Sequence, residues 1–152
     1  EGGFIPAPIE FVKAVRKICD ENGILLIADE VQSGFGRTGK LFASEYWKEN
    51  GCAPDIIATA KSIAGGVPLS AVIASKEVMD AVPGGTIGGT YGGNALACAA
   101  GLEVLKLMDE GGLVKRSQEI GKKVMAAFNE MKEVRSCWRC QRSWCYDWCR
   151  IC

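Results

Sequence analysis

Three apolar runs in the first half of the chain predict three short β-strands. They cover residues 24–28, 55–60 and 69–74, with the sequences ILLIA, DIIATA and LSAVIA. None of them alternates regularly between apolar and polar residues, which is the pattern of a strand buried on both faces, as in a parallel sheet. We therefore expect these runs to form the centre of the domain.

Segments with helical spacing of apolar residues lie between and after these runs. Helices are predicted over residues 8–22, ending at Gly23, and from the N-cap residue Ser75 through residue 82. Asn94 is expected to cap a long helix over residues 95–110, and an amphipathic helix follows over 113–133. Strands separated by helices predict an α/β fold with a mostly parallel sheet and flanking helices.

The composition argues against a nucleic-acid-binding or membrane protein. Acidic and basic residues number 18 each among 152, so no net charge draws the chain toward nucleic acid or an anionic membrane surface. The longest apolar runs are too short to cross a bilayer. The opening residues EGGF lack an initiating methionine and are typical of the interior of a chain, so we expect a fragment of a longer protein.

Two of the predicted strands are followed by ionisable residues. Asp29 follows the run at 24–28, and Lys61 follows the run at 55–60. In open α/β sheets, ligands bind beyond the carboxyl ends of the strands, so a carboxylate and an amine are expected in one crevice. A salt bridge that closes the edge of the sheet is the simpler interpretation of this pair alone.

A glycine-rich segment, PGGTIGGTYGGN at residues 83–94, favours a ligand instead. Its backbone N–H groups, the hydroxyl of Thr90 and the start of a helix suit a phosphate group, although a flexible surface connection has the same composition. An acid, a lysine and a phosphate cradle are together the groups that hold pyridoxal 5′-phosphate. The lysine forms a Schiff base, and the acid keeps the pyridine nitrogen protonated.

Three long motifs, ADEVQSGFGRTGKLFA, APDIIATAKSIAGGVPLSAVIAS and GGTYGGN, occur in this order. With them, the chain from residue 1 to about residue 133 resembles the class-III (ω-amino-acid) aminotransferases of fold type I. The resemblance implies part of the cofactor-binding large domain over residues 1–112 and a helix over 113–133 that leads toward a C-terminal small domain. It also implies transfer of an amino group from an ω-amino acid, with 4-aminobutyrate as the expected donor, to 2-oxoglutarate.

Five residues receive expected roles from this resemblance. Lys61 matches the lysine that binds the cofactor covalently and moves protons, and Asp29 matches the acid that pairs with the pyridinium nitrogen. Gln32 matches a glutamine that donates a hydrogen bond to the phenolic oxygen, and Thr90 matches a threonine that reaches the phosphate in the neighbouring subunit. Glu1 matches a glutamate that pairs with an arginine when an amine substrate without an α-carboxylate binds; a solvated terminal acid is the alternative.

The resemblance further implies a homodimer or larger assembly with shared active sites, small-molecule substrates, a cytoplasmic location and no bound metal. Two alternatives remain for the function: acetylornithine or another ω-amino acid as the donor, and a fold-type-I homologue without catalytic activity. A substitution at Lys61 or Asp29 is expected in such a non-catalytic homologue, and both residues are present. Glu30 and Arg37 are expected to have structural roles.

The C-terminal tail differs in composition from the rest of the chain. Five of the eight cysteines and three of the four tryptophans lie within residues 137–152. Two CxxC pairs suggest a zinc module, but so short a segment leaves little room for a core. One permitted set of codons, read one base later, gives VGDVRGLGAMIGVEF, which resembles the opening of the small domain in the same family. We therefore interpret residues 134–152 as a frameshifted translation without an evolved function.

Overall fold

The computed structural model describes residues 5–86 and 88–133, with side chains described through residue 130. Helices and strands alternate along most of this range. In chain order they are α1 Ile9–Asn22, β1 Ile27–Asp29, α2 Glu45–Lys48, β2 Ile56–Thr59, a 3-10 turn Lys61–Ala64, β3 Ala71–Ala74, α3 Lys76–Asp80, α4 Ala95–Glu110 and α5 Leu113–Glu133. The expected role of Glu1 and the interpretation of residues 134–152 both fall outside the described residues.

The sheet has three strands in the order β1-β2-β3. β1 and β2 are parallel, as the sequence predicts, and Asp29 lies opposite Ala58. β3 runs antiparallel to β2, with Ala71 opposite Thr59. The sheet is therefore mixed, with one parallel and one antiparallel pairing. The apolar pattern of β3 did not distinguish these directions, because it resembles that of the other two runs.

The first strand is shorter and more exposed than its apolar sequence suggests. β1 begins three residues later than expected and includes Asp29, whereas Ile24 and Leu25 precede it and are exposed. Within the strand Ala28 is buried, but Ile27 is 59% exposed. The prediction of burial on both faces is therefore wrong for β1, and it is also wrong for β3, where Val72 and Ile73 are 50% and 46% exposed. The reason is that α4 packs mainly against the 3-10 turn and leaves apolar residues of the sheet uncovered.

The helix boundaries follow the capping residues. Gly23 ends α1 with φ +65°, a left-handed conformation that glycine adopts without strain. The hydroxyl of Ser75 accepts a hydrogen bond from the backbone N–H of Val78 and caps α3, which ends at Asp80, two residues before the predicted end. The helices predicted over residues 95–110 and 113–133 are confirmed with those boundaries.

An apolar cluster joins α4 to the segment that follows β2 and to the loop that follows β1. Phe35, Ile63 and Ala64 form its buried centre, and Val104 of α4 packs against them. Gly101 permits this close approach: a Cβ atom at that position would lie 3.1 Å from the Cδ2 atom of Leu69 and 3.4 Å from the carbonyl oxygen of Ile63. The 3-10 turn is therefore held against the helix by direct packing.

A charged cluster joins α1 to the sheet. The guanidinium of Arg16 donates a hydrogen bond of 2.7 Å to Asp55, just before β2, and also pairs with Asp20 one helical turn later. The same Asp55 oxygen accepts a 2.7 Å hydrogen bond from the backbone N–H of Leu26, just before β1. The hydrogen bond from Arg16, with that from Leu26, lowers the pKa of Asp55 below its ordinary value. One carboxylate thus links the helix and the starts of both parallel strands.

Helices long and apolar enough to cross a bilayer do not occur in residues 5–86 and 88–133.

We expect Asp55→Asn to reduce the free energy of unfolding by about 1–2 kcal/mol near neutral pH, because the charged hydrogen bond from Arg16 is lost. Because folding lowers the pKa of Asp55, its stabilisation is complete above the ordinary aspartate pKa of about 4. The stabilisation disappears as the pH falls through the lower pKa of the folded state. The difference between the two proteins should therefore shrink on acidification, as measured by urea unfolding at several pH values.

Asp20→Asn is the matched control for this prediction, since Asp20 pairs with the same arginine but has a side chain that is 64% exposed. Its effect should stay below about 0.5 kcal/mol. Equal effects of the two substitutions would contradict a special role for Asp55.

Candidate active site

Lys61 begins the 3-10 turn two residues after the end of β2. Its φ angle is +47°, a left-handed conformation that costs a residue with a side chain about 1–3 kcal/mol. The turn is held in this shape by the burial of Ile63 and Ala64 against the apolar cluster, while the side chain of Lys61 stays exposed. Strained backbone of this kind is frequent at functional sites, which makes the position a candidate on structural grounds as well.

Asp29 is the last residue of β1 and lies at the same edge of the sheet as Lys61. It pairs with Ala58 of β2, three residues before the lysine. Its side chain is exposed, and its Oδ1 atom accepts a 3.0 Å hydrogen bond from the backbone N–H of Val31. The predicted placement of a carboxylate and an amine beyond neighbouring parallel strands is therefore found in the structure, although Asp29 lies within its strand.

Gln32 and Arg37 both lie in the loop that follows β1, and both are exposed. Gln32 comes three residues after Asp29, on the side of the loop nearest the strand end. Arg37, expected to be structural, lines a cavity of about 310 Å³ with Ser62. The hydrogen bonds that fix this part of the loop are made by the next two residues: the Tyr46 hydroxyl donates to the carbonyl of Thr38, and the side-chain amide of Gln118 donates to the carbonyl of Gly39.

Glu30, beside Asp29, has the structural role expected for it. Its side chain is only 2% exposed. The carboxylate accepts hydrogen bonds from the hydroxyl of Ser33 at 2.5 Å and from the backbone N–H groups of Ala43 and Ser44 at 3.0 and 2.6 Å. The two ends of the loop are thus tied to one buried carboxylate.

Close packing also fixes the beginning of the loop. The N–H of Gly34 donates a 3.0 Å hydrogen bond to the carbonyl oxygen of Glu30. A Cβ atom at Gly34 would lie 2.8 Å from that oxygen and 3.3 Å from the ring of Phe42. Phe35 follows with φ +56°, and its ring packs edge-on against Phe42 at a centroid distance of 5.8 Å.

Thr90 lies in the glycine-rich segment before α4. It lines a cavity of about 890 Å³ with the glycines of its own segment and with residues 68–72, which include the start of β3. Lys61 and Asp29 are not among the residues that line this cavity. Thr90 is exposed, so its hydroxyl can contact a group outside the chain. Lys61 and Asp29 thus lie at one edge of the sheet, and Thr90 lines a cavity that reaches the start of β3, opposite the end of β2.

The start of α4 is less open to an anion than the sequence suggests. The side-chain oxygen of Asn94 accepts hydrogen bonds from the N–H groups of Leu96 and Ala97, at 3.0 and 3.1 Å. The N–H of Gly92 is bonded to the carbonyl of Gly89. Asn94 is confirmed as the cap of α4, and for that reason two of the helix N–H groups are already occupied.

Pyridoxal 5′-phosphate fits the groups at the sheet edge by their chemistry. Lys61 offers an exposed amine for covalent attachment, and Asp29 offers a carboxylate that can pair with a protonated ring nitrogen. These two groups lie beyond adjacent parallel strands, where α/β enzymes bind cofactors. This arrangement is typical of the pyridoxal-phosphate-dependent enzymes of fold type I.

The comparison with protein families identifies the particular family. The chain matches the model for class-III aminotransferases over residues 1–139, and it belongs to that family. It is 53% identical over 124 residues to a 4-aminobutyrate aminotransferase of Escherichia coli, covering 82% of this chain and 28% of that protein. It is 50% identical over 133 residues to a 5-aminovalerate aminotransferase of Pseudomonas putida, covering 88% and 31%.

A solved structure agrees with this assignment. An amine transaminase from an uncultivated Pseudomonas species, determined with pyridoxal 5′-phosphate bound, superposes with a TM-score of 0.76 and 36% sequence identity. The match covers 87% of this chain and 31% of that one. The family and this neighbour indicate pyridoxal 5′-phosphate as the cofactor. The chain spans about three-tenths of the length of the curated relatives named above.

Two features of the site were not anticipated from the sequence. The left-handed conformation of Lys61 has no local signal, because lysine is not a residue that favours it. The attachment of the loop to Glu30 had a partial signal in Ser33, three residues further on, but its main partners are backbone N–H groups at residues 43 and 44. The sequence does not indicate which backbone N–H groups will donate hydrogen bonds to a given side chain.

We expect Gly34→Ala to lower the free energy of unfolding by about 2 kcal/mol. The added methyl group would meet the carbonyl oxygen of Glu30, which cannot move away without breaking the hydrogen bond from residue 34. Gly84→Ala is the control, because a Cβ atom there has no neighbour within 4 Å. Its effect should stay within about 0.5 kcal/mol in urea unfolding; a similar loss for both variants would show that the contact at residue 34 is unimportant.

Proposed function

We propose that the protein of which this chain forms part transfers the amino group of an ω-amino acid, 4-aminobutyrate in the first instance, to 2-oxoglutarate. The observation that carries the proposal is the pairing of Asp29 with Ala58, which puts Asp29 and Lys61 at one edge of the sheet. The names of the relatives support an ω-amino acid as donor, since 4-aminobutyrate and 5-aminovalerate both carry the amine at the chain end. A homodimer in the cytoplasm belongs to the same proposal.

Bound at this edge, pyridoxal 5′-phosphate supplies an electron sink for the carbon that carries the amino group. Lys61 would hold the cofactor through its Nζ atom, and the same amine would move a proton to and from the substrate. Asp29 would pair with the protonated pyridine nitrogen and so maintain the sink. Gln32 would donate a hydrogen bond to the phenolic oxygen and orient the ring.

The left-handed backbone at Lys61 supports this assignment. Packing of Ile63 and Ala64 determines the direction in which the lysine leaves the turn. Because the turn is buried on one side and the lysine is exposed on the other, the amine is directed away from the core. A fixed direction of this kind suits a group that must return to the same atom in each catalytic cycle.

The role of Lys61 is tested in a hybrid enzyme, defined as the Escherichia coli 4-aminobutyrate aminotransferase in which the aligned segment is replaced by that of this chain. We expect borohydride reduction with pyridoxal 5′-phosphate to add the cofactor mass to the peptide that contains Lys61. Lys61→Ala should abolish the label and reduce kcat by at least about a thousandfold, because no other amine occupies this position. Lys76→Ala, which changes an exposed lysine of α3, should leave the label on Lys61 and kcat unchanged.

A label on another lysine, with Lys61→Ala still active, would contradict the assignment. A panel of donors on the unsubstituted hybrid then compares 4-aminobutyrate, 5-aminovalerate and acetylornithine. Highest kcat/KM for 4-aminobutyrate supports the proposed donor, and highest kcat/KM for acetylornithine rejects it.

Sharing of the site between subunits is tested by mixing two inactive variants of the hybrid enzyme. Thr90→Asp places a negative charge where the partner's cofactor phosphate is proposed to lie, and Lys61→Ala removes the covalent attachment. In a mixed dimer one site has both defects and the other has neither. Random exchange in a two-fold dimer should therefore restore about a quarter of the original activity.

Thr86→Asp is the matched control, because Thr86 is an exposed threonine of the same glycine-rich segment. It should remain active without mixing. If mixing restores no activity although labelled subunits are shown to exchange, the two-chain site is rejected.

A further inference from the structure

We propose that Glu30 is a positioning residue that fixes Asp29 for its contact with the cofactor ring. The inference rests on the proposed function, because it assigns Asp29 the ring nitrogen as its partner. Glu30 itself does not reach the cofactor side of the strand: its carboxylate is buried, whereas that of its neighbour Asp29 is exposed. Its action is therefore indirect and depends on the backbone that the two residues share.

The backbone of Glu30 is held from both directions. Its N–H donates a 2.8 Å hydrogen bond to the carbonyl of Ala58, which extends the β1–β2 pairing by one residue beyond Asp29. Its carbonyl oxygen accepts the 3.0 Å hydrogen bond from Gly34. The strand pairing thus holds the peptide group between residues 30 and 29, and the tight turn holds the one between residues 30 and 31. The orientation of the peptide group between residues 29 and 30 determines where the Asp29 carboxylate is directed.

The side chain of Glu30 prevents this peptide from rotating. Oε2 accepts hydrogen bonds from the Ser33 hydroxyl and the N–H of Ala43, and Oε1 accepts one from the N–H of Ser44. Among the described residues no lysine or arginine forms an ion pair with Glu30, so these donors compensate the burial of the carboxylate. A rotation at residue 30 would break all three hydrogen bonds together.

A glutamine cannot make the same set of hydrogen bonds. Its side chain has one oxygen, and its NH₂ group would face the backbone N–H of either Ala43 or Ser44, which can only donate. In one orientation the buried N–H of Ser44 is left without a partner, and in the other the partly buried N–H of Ala43. Glu30→Gln therefore removes the constraint while it preserves the size of the side chain.

Glu45→Gln is the matched control. Glu45 also accepts a hydrogen bond from a backbone N–H of this loop, that of Phe42 at 2.8 Å, whereas the donors to Glu30 are Ser33, Ala43 and Ser44. Because glutamine keeps one oxygen, Glu45→Gln removes a negative charge from the same loop but can retain the single hydrogen bond from Phe42. It leaves the attachment at Glu30 intact.

The first measurement is amide hydrogen exchange on the 152-residue chain without cofactor. Glu30→Gln should accelerate exchange at residues 43 and 44 by about tenfold or more, and Glu45→Gln should not. Unchanged exchange in Glu30→Gln would overturn the proposed attachment independently of any cofactor.

The second measurement compares retention of two cofactors by the hybrid enzyme: pyridoxal 5′-phosphate and an analogue whose ring nitrogen is replaced by carbon. Asp29 has no partner on the analogue. If Glu30 acts through Asp29, Glu30→Gln should raise the Kd of pyridoxal 5′-phosphate about tenfold and that of the analogue less than about twofold. Glu45→Gln should change neither.

Asp29→Asn separates failure of this inference from failure of the proposed function. If it weakens only the natural cofactor, Asp29 contacts the ring nitrogen, and equal losses of both cofactors in Glu30→Gln would overturn the positioning role and indicate general loosening. If Asp29→Asn affects both cofactors equally, the proposed contact of Asp29 is itself wrong, and the positioning role is rejected with it.

Discussion

The parallel pairing of β1 with β2 is the constraint on which the rest of the candidate site depends. Two parallel strands end at the same edge of a sheet, and the pairing of Asp29 with Ala58 fixes how far each extends. A shift of one residue in this register would turn Asp29 toward the face that Glu30 occupies. The cluster of Arg16, Asp55 and Leu26 lies at the opposite ends of the same strands and fixes the same register.

A second constraint comes from the helix behind the site. α4 approaches the 3-10 turn closely because Gly101 has no side chain and Ala97 is fully buried. Ile63 and Ala64 of the turn are buried in this contact, with Val104 packed against them. Dispersion contacts across this small interface supply the energy that holds Lys61 in its left-handed conformation. Packing far from the amine thus determines where the amine is directed.

Local chemistry made some of these features predictable from the sequence. Asn94, Ser75 and Gly23 specify helix ends through hydrogen bonds or backbone freedom that belong to the residue itself, and the structure confirms each of them. The family and the strand-end positions of Lys61 and Asp29 were likewise accessible, because their motifs are long. The family-derived boundaries at residues 112 and 133 stay predictions.

Features that depend on distant partners were not accessible in the same way. The direction of β3 depends on the connection that precedes it, and the exposure of Ile27 depends on which elements cover the sheet. The same apolar residue can lie in a buried or an exposed position, so its identity does not indicate which one it occupies. The anchoring of residues 43 and 44 to Glu30 depends on backbone groups that every residue except proline carries.

The three-stranded order has a consequence for how the isolated chain associates. In the part of the chain that the structure describes, β1 and β3 are the two outer strands, so each presents unpaired backbone donors and acceptors on one side. Ile27, Val72 and Ile73 add exposed apolar surface beside those groups. A second copy can extend such a sheet at either side, and the new outer strand offers the same opportunity to the next copy. Association of this kind does not stop at an oligomer of defined size, and its rate rises with protein concentration.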